Sequence, residues 1–103
     1  MKKINLNEIE YEIIKDYKNA LNIEELKEKI TDYFDNYDYI LGDYSYDKLR
    51  LKGFCENSNE IFKNINDYNM IEKYLKDFCS YDCKYFILKK VSQKLLNNKI
   101  KMW

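Results

Sequence analysis

Residues 8–14, EIEYEII, alternate with period two. Ile9, Tyr11 and Ile13 share one face, and Glu8, Glu10 and Glu12 share the other. That pattern predicts a half-buried strand. Asn19 to Asn22 connect it to a helix over 23–35, whose apolar stripe is Ile23, Leu26, Ile30, Tyr33 and Phe34. Asn22 and Glu25 make a capping-box-like pair at its start, and Asn36 is suited to end it in the left-handed conformation. Residues 37–44, YDYILGDY, read as a second strand, and 48–54, KLRLKGF, as a third. Ser45 to Asp47 turn the chain between them, so the two form a hairpin. In the third strand Leu49 and Leu51 point inward, and Lys48, Arg50 and Lys52 outward. Residues 55–65 are mostly polar and read as a long loop anchored by Ile61, Phe62 and Ile65. Asp67 or Asn66 caps a second helix near 67–79, striped by Met70, Ile71, Tyr74, Leu75 and Phe78. Residues 84–91, KYFILKKV, predict a last strand. Residues 92–103 form a short basic amphipathic helix or tail with Leu95, Leu96, Ile100 and Trp103.

The predicted order is β-α-β-β-α-β plus a tail. The fold expected is an α+β two-layer sandwich of the ferredoxin-like split type, with both helices on one side of a four-stranded sheet. Residues 1–91 are expected to be a single α/β domain and 92–103 its tail. In that arrangement the first and third strands are neighbours. Glu8, Glu10 and Glu12 would then face Lys48, Arg50 and Lys52 in a cross-strand charge ladder.

Composition narrows the chemistry. The chain has 103 residues, which is room for one core. Histidine is absent, which excludes histidine-dependent triads, imidazole metal sites and an imidazole pH switch. No apolar run approaches the length of a membrane span, and the basic start at Lys2-Lys3 is not followed by a signal-peptide core. Three cysteines, Cys55, Cys79 and Cys83, leave an odd thiol, so a cytoplasmic, reducing setting is expected. Cys79 and Cys83 read as small core residues. Their spacing fits neither a zinc site nor a C-x-x-C redox pair, and no metal or cofactor is expected. Proline is absent, and glycine occurs only at Gly42 and Gly53. The excess of Lys, Asn and Tyr reads largely as a bias toward A/T-rich codons. Against that background the single Arg50 stands out, because arginine supplies a planar fork that lysine lacks. The net charge of zero hides an asymmetry. Residues 84–103 hold six lysines and no acid, and the rest of the chain carries the compensating negative charge.

The hairpin segment holds the candidate site: Asp43, Tyr44, Tyr46, Arg50, Lys52 and Phe54. Gly42 inside a strand signals a bulge or a close backbone approach. Asp43 is placed to hold Arg50 in a bidentate pair. Read structurally, this is a clasp for the hairpin. Read functionally, it is an aromatic and cationic surface for a base, a phosphate or a peptide. Lys52-Gly53-Phe54 is similar to the start of an RNA-recognition-motif signature. However, the chain continues as Cys55-Glu56-Asn57-Ser58 without base-stacking aromatics, and Glu10 and Glu12 would repel phosphate.

DYILGDYSYDKLRLKGF at 38–54 resembles DYIVGDWGYGQLRLKGF of the YutD-like family. DYNMIEKYLKDFCSYDCKYFILKKV at 67–91 resembles that family's Y-L-x-x-Y-C-x-x-G-C-x-Y-F-V-L-K-K, and DYKNALN at 16–22 its DYKDGFN. Ser45, Asp47 and Asp82 stand where the family pattern has glycines. The resemblance implies a small cytosolic α/β protein of Firmicutes and Mollicutes and names no reaction. The function expected is therefore a non-enzymatic cytosolic binding module for RNA, a ribonucleoprotein or a protein partner. It would use the hairpin face with Arg50 and Lys52, helped by the basic tail. The alternatives are a small hydrolase or transferase with Asp43 and Arg50 at an anion site, and a structural dimerisation unit that pairs through an open sheet edge.

Overall fold

Phe86 and Leu88 are fully buried on one side of the last strand, and Tyr85 and Ile87 are half-buried on the other. A strand that is apolar on both faces belongs inside a sheet. The structure, a computed structural model that describes residues 2–6, 8–45, 47–78 and 83–92, has it there. The elements are β1 (Lys3–Leu6), β2 (Ile9–Tyr17), α1 (Ile23–Lys29), β3 (Tyr39–Ser45), β4 (Lys48–Phe54), α2 (Ile71–Phe78) and β5 (Tyr85–Ser92). They build one five-stranded sheet in the order β1-β2-β5-β3-β4, with every neighbouring pair antiparallel.

The chain is α+β as expected, and the hairpin of β3 and β4 forms in the predicted place. The ferredoxin-like strand order does not. The predicted first strand, β2, lies two strands away from β4, because β5 and β3 come between them. Glu10 and Glu12 therefore never meet Arg50 and Lys52. Glu12 lies in register with Lys3 on β1 and Lys89 on β5, and Lys3 Nζ is 3.9 Å from Glu10. The missed element is β1. Its short alternation puts Ile4 and Leu6 in register with Tyr11 and Ile9. Four residues carry little periodicity, and the turn back relies on Glu8 adopting a φ of 68°.

The two helices lie on opposite faces, so the two-layer expectation is corrected to three layers. Leu26 of α1, with Ile30 and Phe34 after it, packs against Leu6, Tyr11, Ile40, Leu49, Phe86 and Leu88. Ile71, Tyr74 and Leu75 of α2 pack against Tyr39, Leu41, Phe54 and Ile87. Successive strand residues alternate between faces, and these two sets are the odd and even positions of β3, β4 and β5. Amphipathic stripes predict that each helix docks on the sheet. They do not say on which side.

Helix α1 starts as expected, with the Asn22 side chain accepting from Glu25 N–H at 3.1 Å. It ends early. Ile30 and Thr31 are extended, and a 3-10 turn, Asp32–Asn36, replaces the predicted last helical turn. Asn36 keeps a negative φ, so it is not the left-handed stop. Asp67 caps a 3-10 turn at Tyr68–Met70, accepting from Asn69 N–H at 2.9 Å, and α2 follows.

The segment after β4 is ordered by asparagines. Asn59 Nδ2 donates to Asn36 O and Asp38 Oδ2, and Asn66 accepts from Lys63 N–H while donating to Ile61 O. Cys55 is a free, fully buried thiol. Cys83 is half-buried and disulfide-bonded, not the buried thiol expected. Of the predicted tail at 92–103, Ser92 ends β5 and residues 93–103 lie outside the described residues. No described helix is long and apolar enough to cross a membrane.

Candidate functional site

The hairpin register sets Asp43 directly opposite Arg50. Arg50 Nε donates to Asp43 Oδ1 at 3.0 Å and Nη2 to Oδ2 at 2.7 Å. Asp43 is 2% exposed, while the guanidinium side chain keeps 39% of its surface. This is the bidentate clasp expected from the sequence, and it closes the carboxylate. Both oxygens accept from the fork, and with 2% of its side chain exposed Asp43 offers little access to a substrate.

The other sequence candidates do not share one surface. Tyr44 lies on the α1 side of the sheet. Its hydroxyl donates to Glu25 Oε1 at 2.6 Å, and Lys84 Nζ sits 4.4 Å from its ring centroid. Burial first, and then the bond to Glu25, push its phenol up to about 12. Phe54 is fully buried under α2, edge-on to Tyr74, so it is corrected from a contact residue to a core residue. Tyr46 lies outside the described residues. Lys52 remains at the surface, its ammonium 5.2 Å from the Phe54 ring centroid and 5.7 Å from that of Tyr74. The expected row of outward cations is thus partly covered. Alternation put these residues on one face correctly, but α2 docks on that same face.

Around Lys52 the structure has a groove of about 810 Å³. Tyr33, Phe34 and Tyr37, from the turn after α1, wall one side. Glu60, Ile61, Lys63, Ile65 and Asn66 wall the other, and Tyr74 of α2 also lines it. Its floor is Leu51, Lys52 and Gly53 of β4. Leu51 and Gly53 face the α1 side and Lys52 the α2 side. A cavity touched by all three runs along the outer edge of the strand. A smaller apolar pocket of about 260 Å³ adjoins it and shares Lys52, Ile65 and Tyr74, with Met70 and Lys73 beyond.

Local packing shapes this edge. A Cβ at Gly53 would collide with the Tyr37 ring. Tyr37 can therefore lie flat over the strand, and its hydroxyl meets that of Tyr33 at 3.0 Å. That bond, followed by burial, pushes the Tyr37 phenol up to about 12. Beyond Gly53 the edge is already capped. Cys55 N–H donates to Asn66 O at 2.7 Å, Cys55 O accepts from Tyr68 N–H at 2.8 Å, and the pair forms a parallel bridge with Asp67. Three large apolar side chains exposed on this surface, Tyr33, Ile65 and Met70, all line the groove or its extension. Sequence reasoning listed Lys52 and missed these. The available signal is an isoleucine in a polar loop, Ile65, which is 74% exposed and not the anchor expected.

The family model described as "Putative antitoxin YutD-like" matches residues 5–89. The "Putative antitoxin YutD" of Bacillus subtilis (strain 168) is 34% identical over 82 residues, covering 80% of this chain and 90% of that protein. The solution NMR structure of protein yutD from B. subtilis superposes with a TM-score of 0.74 at 31% identity, over 90% of this chain and 84% of that one. With a match that spans most of its length in both sequence and fold, the chain belongs to the YutD-like family.

Proposed function

We propose that this chain is a non-catalytic, cytosolic protein-binding module that holds a partner protein in the groove along β4. The observation behind this reading is the cavity that touches both faces of one strand and so opens the strand's edge to a ligand. Its rim carries exposed Tyr33 and Ile65, and exposed Met70 lines the adjoining pocket. Grouped apolar side chains of this size on a soluble surface mark contact sites. The name "Putative antitoxin" carried by the family and by the B. subtilis relative supports a protein partner, since an antitoxin acts on a toxin. The hydrolase or transferase alternative draws no support from the geometry, because the Arg50 fork occupies both oxygens of Asp43.

The test is affinity capture from the native cytosol with the intact chain and with Ile65→Asp, each with and without nuclease. Ile65 is mostly exposed, so this change should leave folding intact, which circular dichroism can check. A protein retained after nuclease and lost with Ile65→Asp supports the reading. Recovery that depends on nuclease-sensitive material assigns the module to RNA. Equal recovery by both chains moves the contact away from the groove.

A further inference from the structure

The β4 edge is built like half of a strand pair. Ser45 and Lys48 close the hairpin across a two-residue turn. Such a closing pair is hydrogen-bonded, and the pattern then alternates along the strands. Lys48, Arg50 and Lys52 thus direct their peptide groups to β3, and Leu51 and Gly53 direct theirs outward. Cys55, next in this parity, does bond outward, to Asn66 and Tyr68. Among the described residues nothing bonds the outward peptide groups of Leu51 and Gly53.

We infer that the groove takes an extended acidic segment of the partner protein as a sixth strand on β4. Carboxylates at alternate positions run along the cationic face of β4, one of them meeting Lys52, and apolar side chains between them face Tyr37 and Leu51. This inference rests on the protein-binding reading above. Charge selects the occupant. Lys52 and Lys63 line the groove against one carboxylate, Glu60, and Lys52 sits over two rings with no ion pair to a carboxylate among the described residues. A second copy of this chain is disfavoured. Each antiparallel self-pairing confined to 48–53 sets Arg50 or Lys52 against the same row of its twin, and like charges directly opposite repel. An added strand with carboxylates at those positions turns the repulsion into attraction, while main-chain bonds supply affinity. The required pattern is the one in EIEYEII of this chain, but β2 is held between β1 and β5 and cannot reach β4.

That sequence supplies the probe. A blocked peptide EIEYEII is titrated into isotope-labelled full-length protein, with amide shifts and hydrogen exchange followed by NMR. The expected result is slowing of exchange at Leu51 and Gly53 by at least tenfold, with no binding of KIKYKII. Lys52→Glu should weaken EIEYEII at least tenfold. Two further peptides, N-methylated at odd or at even positions, separate the two ideas. Strand addition requires that one parity loses at least tenfold in affinity and the other does not. Equal binding of both overturns strand addition and leaves the groove reading standing. Shifts confined to β1, β2 and β5 mean exchange with β2 and overturn the site. No binding at millimolar peptide overturns the acidic strand, and the capture experiment then judges the groove independently.

Discussion

Arg50 grips Asp43 with two nitrogens, at 3.0 and 2.7 Å, across the hairpin that forms the sheet edge. Removing the guanidinium strands a carboxylate that is 2% exposed. We expect Arg50→Ala to cost about 2 kcal/mol, less than the 3–5 of a fully buried pair because the arginine keeps water contact. Arg50→Lys should recover only part of this, since lysine cannot form the fork. Urea denaturation of both variants and of Asp43→Asn, with and without Arg50→Ala, measures the coupling. Independent, additive losses would remove the clasp.

Gly42 and Gly53 each lie beneath an aromatic ring, Phe86 and Tyr37 respectively. Phe86 is fully buried and has nowhere to move. Gly42→Ala should therefore destabilise by about 1–3 kcal/mol or more. Tyr37 stands near the surface and can swing aside, so Gly53→Ala should cost less while narrowing or reshaping the groove. Thermal melts rank the two variants, and the opposite ranking contradicts the packing.

The Tyr11 hydroxyl is buried with no hydrogen-bond partner among the described residues. Burial, and then the charge of Asp35, push its phenol up to about 12. Tyr39 is also pushed up to about 12, by burial first and then by Glu56. The unfolded chain releases these protons near pH 10, and the folded chain holds them longer. Stability from these groups is thus complete below pH 10 and is lost as the pH rises from 10 to 12. Tyr11→Phe removes an unsatisfied hydroxyl and should be neutral or stabilising by about 1 kcal/mol. It should also flatten the alkaline loss, which denaturant midpoints across pH 8–12 would record.

Asp47 occupies the hairpin turn at a φ of 62°. It stands where the family pattern seen in the sequence has glycine. Asp47→Gly relieves the left-handed conformation, against some gain in unfolded-state freedom. A net stabilisation of up to about 1 kcal/mol is expected, raising Tm by up to about 4–8 °C. A lower Tm would mean that the aspartate side chain stabilises the turn.

Local pattern in the chain was sufficient for much of this. Period two identified β2 and β4, the aromatic and branched runs at 37–44 and 84–91 identified β3 and β5, and the spacing of Asp43 and Arg50 around a short turn predicted their pairing. Asn22 and Asp67 declared their caps because a side-chain oxygen near free amides has a local job. The order of the strands was not legible in the same way. Alternation says which face of a strand is apolar and nothing about its neighbour, so EIEYEII beside KLRLKGF looked complementary although the fold separates them. The two-sided apolar character of KYFILKKV was the clue to a central position. Side-chain stripes on α1 and α2 are equally content on either face of the sheet. The groove depended most on long-range assembly. Its walls come from a turn near Tyr33, a loop near Ile65 and a helix at Tyr74. They meet only because β4 ends the sheet and Gly53 lets Tyr37 lie across it.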